Sequence, residues 1–594
     1  MDDKNKPAWR ERIQLKKRSK TLKKSAQKQA RKVEGATMRH AHRFLVSRWD
    51  KVREIRLHII VWLGSVAVLI ALVGLQMVWF QRSYVTKAAV NGGTYAEAIK
   101  GSIDTLNPLY ATQPAELAAS HLLFSSLYQN DTTGHLRGDV AKTMNIEGDK
   151  VFTVKLRPDV RWHDGEPLTA NDVVYTVGLM RSQVVRSVMA ASWQGVAVSR
   201  IDDYTVQFTL PAAYAAFPQA LTFSILPEHI LKTVDQSIIR ESSYSKAPIG
   251  SGPFKLRLLQ SVNVNENRKV VHMDANRDYY AGSPRLDHLQ IHTYGDNDSM
   301  GKALRTGEVN AASDIDSTTA EHVDGNRFTT VAVPVNSGVY ALFNLAQPAL
   351  KDQVVRRALL MGTDTTAIRK KLYGNPQALS LPFFASQVNG LSGIAAPVFD
   401  KSTAKQLLET SGWQMVTGVR TKAGAELRLR VVTRKNSDYE VALQSLAGQW
   451  RELGVKVDSV VVEPSTFTQD VLHDRNYDVL LDELVIGGDP DVFAYWHSRG
   501  LLNFTGYGSQ VSDDALSSAR TTSNPMLRSV KYMNFARQWT ADVPAIGLYQ
   551  SNFIYTHSKD TRSVESDETI VSPDDHYAGV RYWTAEQGNV HKTP

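Results

Sequence analysis

The sequence predicts a mixed α/β protein that follows a single membrane-spanning helix. An uninterrupted apolar run, Leu57 to Phe80, predicts the helix, and strand-like and helical segments alternate from Asn91 onward without a fixed-period repeat. At 594 residues the chain is too long for one compact core, so several domains are expected. It contains no cysteine, which excludes disulfides, thiol nucleophiles, zinc–thiolate sites and iron–sulfur clusters.

The first 56 residues form a basic tail. They contain 19 Lys and Arg residues against 6 Asp and Glu, and the rest of the chain holds 50 basic and 54 acidic residues. We interpret the tail as a topology signal that rests on anionic lipid headgroups, with nucleic acid as the alternative ligand. The rest of the chain has no charge bias that favours nucleic acid, so no nucleic-acid partner is expected.

Residues 57–80 predict the membrane span. These 24 residues include no Asp, Glu, Lys or Arg, and as a helix they extend about 36 Å, enough to cross a hydrocarbon core of about 30 Å. Trp62 and Trp79 lie near the two ends, where amphipathic rings favour the interface. A cleaved signal peptide and a buried core helix are the alternatives, and the length of the run and of the preceding tail disfavours the first. The positive charge before the span predicts a cytoplasmic N-terminus, a linker at 81–90 and an exported, single-pass body.

Short segments of the body predict βαβ units. In VFTVKLRPDVRWHDGEPLTANDVVYTVGLM (151–180), period-two alternation predicts a strand, Asp164-Gly165 a turn, and Thr169 with Asp172 a capping box that begins a helix. Residues 426–463 repeat the pattern as strand, helix and strand, with Gly454 at the helix end. Strands that alternate with helices in this way indicate an α/β fold.

A set of motifs, in a fixed order, carries a family resemblance. They are GSIDTLNPLY (101–110), TVKLRPDVRWHDGEPLTANDVVYTV (153–177), ILPEHIL (225–231), PIGSGPFKL (248–256), LRTGEVNA (304–311), ALFNLAQPALKDQVVRRALLMGTDTTAI (341–368) and GGDPDVFAYWHS (487–498). Together they resemble the family 5 solute-binding proteins, the dipeptide-, oligopeptide- and nickel-binding receptors of ABC importers. The resemblance extends from about Asn91 to Trp583.

The resemblance implies a two-lobed, periplasmic-binding-protein-like clamp of type 2, in its large three-subdomain form, that closes around a ligand by a hinge motion. The expected solute-binding domain is 91–585. We expect lobe I at about 91–137, 249–343 and 499–585, subdomain II at about 138–248, and lobe III at about 344–498. The segment PIGSGP (248–253) suits a chain that crosses between lobes, because its glycines are free to adopt positive φ and its prolines have fixed φ.

No motif of an enzyme or a metal site is found. The chain lacks a phosphate-binding loop, a Gly-x-Ser-x-Gly elbow and a His-Glu-x-x-His helix. His288 and His292 have metal-ligand spacing for a helix, but the local alternation is strand-like, which separates them by about 13 Å. We expect no catalytic residue, no metal and no cofactor.

The segment GGDPDVFAYWHS follows a predicted buried strand, YDVLLDELVI (477–486), and two interpretations of it stay open. In one, Asp489 and Asp491 are turn and helix-start residues, and Trp496 packs in the core. In the other, which the resemblance implies, Gly487, Asp489, Asp491 and Trp496 line the ligand cleft.

The resemblance also implies an aspartate, three positions before the acidic residue of the Asp-Pro pair, that holds the α-amine of a peptide ligand. That position is Ile486 here. Because a buried ammonium group without a carboxylate is costly, either Asp489 or Glu483 receives the amine, or the ligand offers none. The resulting hypothesis is a receptor that tolerates N-blocked or long peptides, held mainly by backbone hydrogen bonds.

Three further ligand contacts are implied outside this segment. Ser102 and Ile103 resemble the ligand-pairing edge of the first lobe. Trp193 lies where an aromatic side chain often closes over the ligand, with core packing as the alternative.

The expected function is that of a membrane-anchored, extracytoplasmic receptor that captures peptides and passes them to an ABC permease. The permease and its ATPase subunits are separate chains, and the body is expected to be monomeric. One alternative is a sensor or adaptor that signals through the span to the basic tail. A second alternative, an extracellular hydrolase, lacks a nucleophile or metal motif.

Overall fold

The computed structural model describes residues 49–263, 266–394 and 397–591. Its α-helices, in chain order, are α1 (Trp49–Tyr84), α2 (Pro114–Leu123), α3 (Ala170–Arg181), α4 (Ala190–Trp193), α5 (Glu228–Leu231), α6 (Asn297–Thr306), α7 (Ser317–Glu321), α8 (Pro348–Lys351), α9 (Gln353–Met361), α10 (Thr365–Arg369), α11 (Lys401–Thr410), α12 (Ser437–Arg451), α13 (Pro464–Phe467), α14 (Phe493–Trp496), α15 (Gln510–Arg520) and α16 (Pro525–Asp542). Its strands are β1 (Val85–Val90), β2 (Thr94–Lys100), β3 (Tyr128–Asn130), β4 (Leu136–Gly138), β5 (Ala141–Glu147), β6 (Val151–Leu156), β7 (Ala197–Asp202), β8 (Thr205–Thr209), β9 (Phe254–Asn263), β10 (Arg268–Ala275), β11 (His288–Tyr294), β12 (Ala311–Ala312), β13 (Phe328–Phe343), β14 (Gln414–Val416), β15 (Val419–Lys422), β16 (Ala425–Glu426), β17 (Arg428–Arg434), β18 (Lys456–Val462), β19 (Val479–Val485), β20 (Ala545–Ser558) and β21 (Glu586–His591).

Helix α1 contains the predicted span. Residues Arg56–Trp79 have a mean hydropathy of 2.4, and this is the one helix in the described part of the chain that is long and apolar enough to cross a membrane. The predicted linker at 81–90 is different in the structure, because α1 continues to Tyr84 and Val85–Val90 form β1, which pairs with β21. The first 48 residues of the basic tail lie outside the described residues.

Residues 89–588 form a second unit, built on a ten-stranded sheet in the order β18-β17-β19-β13-β20-β12-β2-β11-β10-β9. The long strands β13 and β20 are antiparallel neighbours, and their register shifts between Pro334 and Gly338. On one side of this shift β20 also pairs with β12, and on the other side β13 also pairs with β19. The shift therefore separates two half-sheets. We call the half with β2 and β9–β12 lobe I and the half with β17–β19 lobe III.

A separate four-stranded antiparallel sheet, β5-β6-β8-β7, forms subdomain II. Its side chains share one hydrophobic core with lobe I, in which Phe152 and Val177 belong to the same cluster as Ile99 and Leu122. Subdomain II and lobe I are thus packed as one body.

Lobe III has a core on each face of its half-sheet. One is built around Trp450 of α12, and the other around Trp496. Phe535 and Trp539 of α16 belong to the second core. The predicted boundary after residue 498 is therefore corrected: α15 and α16 belong to lobe III, because their apolar faces cover its sheet.

The predicted strand–turn–helix at 151–180 is present. Strand β6 begins at Val151, and α3 begins at Ala170 after a capping box in which the Thr169 N–H donates to Asp172 Oδ2 at 2.8 Å. The predicted βαβ unit is present too, since β17 and β18 pair in parallel on either side of α12. Gly454 follows that helix with φ of +89°, the left-handed conformation that favours glycine.

The segment 248–253 joins subdomain II to β9 of lobe I, but its glycines serve a different purpose from the predicted one. Neither Gly250 nor Gly252 has a positive φ. A Cβ atom on Gly250 would lie 1.8 Å from the carbonyl oxygen of Leu123, at the end of α2. Glycine is needed here for the close approach of two backbones.

Candidate functional site

Lobe I and lobe III meet where α7 and α12 begin. Asp316 caps α7 by accepting the Thr319 N–H at 2.8 Å, and it also accepts the Ser437 hydroxyl of lobe III at 3.1 Å. The Ser317 N–H of lobe I lies 3.4 Å from Asp438 Oδ1 of lobe III. Two helix starts, each with a polar capping residue, therefore bridge the cleft between the lobes.

Glu483 lies on β19 beside this junction. Its Oε1 accepts the Ser337 hydroxyl at 2.5 Å, its Oε2 accepts the Tyr439 hydroxyl at 2.9 Å, and Arg434 Nη2 lies 3.6 Å from Oε2. About a quarter of its side chain, 24%, is exposed. Glu483 is thus a fixed carboxylate that still reaches solvent in the cleft.

Asp482, the preceding residue, forms an ion pair with the same arginine, whose Nε is 3.0 Å from Oδ1. Burial raises the pKa of the Asp482 carboxyl to about 6, although the Arg434 charge opposes this change. One guanidinium group therefore serves two adjacent carboxylates.

Asp314 of lobe I lies near enough to Glu483 of lobe III for the two charges to interact. Asp314 is exposed to solvent, although many protein atoms lie near its carboxylate. Burial, followed by the charge of Glu483, raises the pKa of the Asp314 carboxyl to about 6, and Lys100 and His576 act in the opposite direction. Within the described residues no donor forms a hydrogen bond or ion pair with this carboxylate. Asp314 is therefore available to a ligand.

Tyr549 lies close to these acids. Its ring is buried, its hydroxyl has no hydrogen-bond partner among the described residues, and the charges of Asp438 and Glu483 contribute to the rise of its pKa after burial. The junction thus combines carboxylates from both lobes with an unused hydroxyl group.

Asp489, predicted as a ligand contact, is bound to Arg528. Its Oδ2 and Oδ1 accept the two Nη groups at 2.5 and 2.7 Å, and both side chains are about 15% exposed. Both oxygens of the carboxylate are therefore occupied by a bidentate pair within lobe III.

Asp491 is bound to subdomain II. Its Oδ2 accepts the Tyr214 hydroxyl at 3.0 Å and lies 3.0 Å from Arg520 Nε, while Oδ1 accepts the Phe493 N–H at 3.3 Å. The last of these contacts agrees with the predicted role at a helix start.

Three other predicted residues, Ile486, Gly487 and Trp496, are held by contacts within the chain. Ile486 is buried, and its N–H and that of Gly487 both donate to the Asn336 carbonyl at 3.0 Å. Trp496 is 1% exposed and packs edge-on against Tyr340 and Trp539. Core packing, one of the two interpretations from the sequence, describes the environment of Trp496.

The remaining predicted contacts lie apart from the junction. Ile103 is fully buried and its carbonyl accepts Lys269 Nζ at 2.5 Å, while Ser102 is half-buried. Trp193 packs in the aromatic core of subdomain II, with its ring centroid 5.0 Å from that of Phe223. Of the nine predicted residues, Glu483 alone lies at the junction with Asp314 and Asp438.

Sequence reasoning missed Asp314 and Asp438. Asp314 comes shortly before the short helix α7 and Asp438 is in the first turn of the 15-residue helix α12, so both look like ordinary residues of a helix start. The distinguishing property of Asp314, a left-handed backbone with φ of +53° beside an acid from the other lobe, arises only in the folded chain.

A cavity of about 600 Å³ lies between lobe I and subdomain II, and none of the nine predicted residues lines it. Its wall includes Asp139, which accepts the Ser126 N–H at 2.8 Å and the Tyr280 hydroxyl. Because these polar groups satisfy one another, we assign no ligand to this cavity.

The two histidines with metal-ligand spacing lie on strand β11, as the alternation predicts. His288 Nδ1 is 2.7 Å from Asp274 Oδ1, and His292 Nε2 is 3.0 Å from Gln290 Oε1. Across residues 49–263, 266–394 and 397–591, no three His, Asp or Glu side chains are grouped so as to hold a metal ion.

Comparison with known proteins agrees with this architecture. The model of the bacterial extracellular solute-binding proteins, family 5 (middle region), matches residues 135–502, more than half of the chain. The oligopeptide-binding protein AppA of Bacillus subtilis is 27% identical over 484 residues, which cover 78% of this chain and 87% of AppA. The nickel-binding periplasmic protein of Escherichia coli is 25% identical over 379 residues, which cover 61% of this chain and 70% of that protein.

A solved structure shows the same fold. The ABC transporter substrate-binding protein CtaP of Listeria monocytogenes superposes with a TM-score of 0.73 at 25% identity, over 83% of this chain and 99% of CtaP. The two half-sheets joined by β13 and β20 are thus the lobes of a periplasmic-binding-protein clamp. On the match over residues 135–502, this chain belongs to the family 5 bacterial extracellular solute-binding proteins.

Proposed function

We propose that this chain is a membrane-anchored, extracytoplasmic receptor that captures oligopeptides by lobe closure and delivers them to an ABC permease. Family 5 proteins are non-enzymatic transport receptors, and this chain accordingly has a substrate-binding role and is not an enzyme. The observation that carries the proposal is the pair of carboxylates, Asp314 of lobe I and Glu483 of lobe III, at the junction of the two lobes. A ligand held between them would contact both lobes and so favour closure.

The amine of the peptide is assigned to this pair. Asp489 is disfavoured because a bidentate ion pair with Arg528 already balances its charge, and Ile486 has no charge. Asp314 has no competing donor among the described residues and Glu483 is already held in place by Ser337 and Tyr439. A protonated amine between them would offset the mutual repulsion of the two carboxylates.

The peptide backbone would pair with the end of β19. Strand β17 pairs with β19 only over Val479–Leu481, so residues 482–485 keep one edge without a strand partner. Val485 is 60% exposed at this end. An extended ligand can add to such an edge by main-chain hydrogen bonds, which are independent of the ligand sequence.

The anchor is assigned to α1. Its apolar side chains are exposed along the span, with Leu57 70% and Leu75 67% exposed, as suits a helix in lipid. Tethering would hold the receptor at high local concentration beside its permease.

The test is mass spectrometry of the ligand that co-purifies with the protein, followed by calorimetry with one identified peptide and its N-acetylated form. We expect peptides. In place of the tolerance of N-blocked peptides that the sequence suggested, we expect acetylation to weaken binding at least tenfold, because it removes the charge that Asp314 and Glu483 receive. Asp314→Asn should reduce this difference, whereas Asp489→Asn should preserve it. Co-purification of a non-peptide solute would overturn the peptide assignment, and equal affinity for the two forms would overturn the assignment of the amine.

A further inference from the structure

Subdomain II touches lobe III directly through residues 214–219, on a part of the cleft that the proposed ligand site does not include. The Tyr214 hydroxyl of subdomain II donates to Asp491 Oδ2 of lobe III at 3.0 Å. Next to it, the Ala215 N–H donates to the Arg520 carbonyl at 2.8 Å. These bonds join segments that are about 280 and 305 residues apart in sequence and that belong to different bodies of the clamp.

Arg520 connects the two sides. Its Nε lies 3.0 Å from the same Oδ2 of Asp491 that accepts the tyrosine. Its guanidinium carbon is 4.9 Å from the centroid of the Tyr214 ring and 4.4 Å from that of Phe493. The guanidinium group is therefore placed between an aromatic ring from each side of the cleft, an arrangement that is favourable for a cation.

The surroundings strengthen these contacts. The Asp491 side chain is 9% exposed, so its charge interactions are only weakly screened by water. Gly488 lies against Gln219, where a Cβ atom would be 2.7 Å from Oε1, and glycine leaves room for this approach. Two hydrogen bonds thus cross between the two bodies, the Asp491–Arg520 ion pair of lobe III holds the acceptor in place, and the Gly488 backbone lies close to the Gln219 side chain.

We infer that Tyr214, Asp491 and Arg520 form a latch that holds subdomain II and lobe III together in the closed clamp. Every partner in the latch belongs to the chain itself, so its contribution to closure does not depend on the chemistry of the ligand. The inference rests on the two-lobed fold and not on the peptide assignment. Weakening the latch lowers the population of the closed form, and with it the apparent affinity for any ligand that requires closure.

The absence of cysteine from the sequence makes the latch directly measurable. Ile201→Cys in subdomain II and Leu501→Cys in lobe III place two labels on side chains that are 56% and 96% exposed. Double electron–electron resonance on the full chain in detergent then reports the distance between the two bodies. The protein with an intact latch should give one dominant short distance.

Tyr214→Phe removes a hydrogen bond to a charged group and should raise the ratio of open to closed molecules about tenfold. Asp491→Asn should act in the same direction. Asp489→Asn is the matched control, because Asp489 is in the same loop and has an arginine partner, yet among the described residues its carboxylate bonds only to Arg528 of lobe III and not to subdomain II. It should leave the distance distribution unchanged.

Two results would overturn the latch. One is an unchanged distance distribution in Tyr214→Phe, which would mean that the contact does not control opening. The other is an equal shift in Asp489→Asn, which would mean that the lobe III loop acts as a whole. Tyr214→Phe keeps the ring and its packing, so it decides the question even if Asp491→Asn fails to fold.

Discussion

His576 lies between two acceptors in the core of lobe I. Its Nε2 is 3.0 Å from Glu97 Oε1 and its Nδ1 is 2.5 Å from the Pro573 carbonyl oxygen. Tyr555 donates to the other oxygen of Glu97 at 3.2 Å. Because a carbonyl oxygen and a carboxylate both require a donor, the protonated imidazolium form satisfies both ring nitrogens.

This pair predicts a pH dependence of stability. Burial by itself would lower the pKa of His576, but the charge and hydrogen bond of Glu97 reverse that effect, so that the pKa is raised above its ordinary value. The stabilisation is therefore fully present below about pH 6.5 and is lost as pH rises through the raised folded-state pKa. We expect the free energy of unfolding, measured with urea, to fall between pH 7 and 9.

Two other histidines, His163 and His292, do not contribute to this slope. Burial lowers the pKa of His163 and of His292 to about 4, so their effect on stability appears only below about pH 6.5. His576→Gln should remove most of the slope between pH 7 and 9. A variant that keeps the full slope would contradict the assignment to His576.

At the scale of elements, the close approach of the 248–253 segment to α2 predicts a large effect of one methyl group. Gly250→Ala would place Cβ 1.8 Å from the Leu123 carbonyl oxygen, and the backbone at both sites must then move. We expect a loss of about 3 kcal/mol in the free energy of unfolding by denaturant titration.

Gly178→Ala is the control for that change. Gly178 lies within α3, and its added Cβ would have no neighbour within 4 Å. Since alanine favours the helix, this variant should gain about 0.5–1 kcal/mol. Equal changes in the free energy of unfolding for the two substitutions would mean that the close approach to α2 does not restrict the residue at position 250.

The same elements show what the sequence can predict. The capping box joins Thr169 to Asp172, three positions apart, and the βαβ unit is a local pattern of apolar residues, so both were predictable. The Asp489–Arg528 pair joins residues 39 positions apart, and the Tyr214–Asp491 bond joins residues 277 positions apart. No local pattern specifies such partners, and for this reason the acidic residues of the 487–498 segment could not be assigned from sequence.

At the scale of the whole molecule, the sequence predicted the α/β clamp and the family, because ordered motifs extend over most of the body. It did not predict the lobe to which α15 and α16 belong. Chain order suggested lobe I, whereas the apolar face of α16, with Phe535 and Trp539, requires the uncovered sheet of lobe III. The lobe to which a helix belongs depends on which sheet buries its apolar face, and this is known only once the sheet has assembled.

The charge asymmetry of the chain predicts its orientation in the membrane. The 19 basic residues before the span should retain the N-terminus in the cytoplasm and export residues 91–585. Protease added to intact cells or spheroplasts should therefore digest the body and leave a membrane-bound fragment that contains the tail, detectable with an antibody against residues 16–32. Permeabilised cells are the control, in which the tail should be digested as well. Loss of the tail epitope from intact cells while the body survives would show the opposite topology. The binding domain would then be in the cytoplasm, where it could not meet an extracytoplasmic ligand.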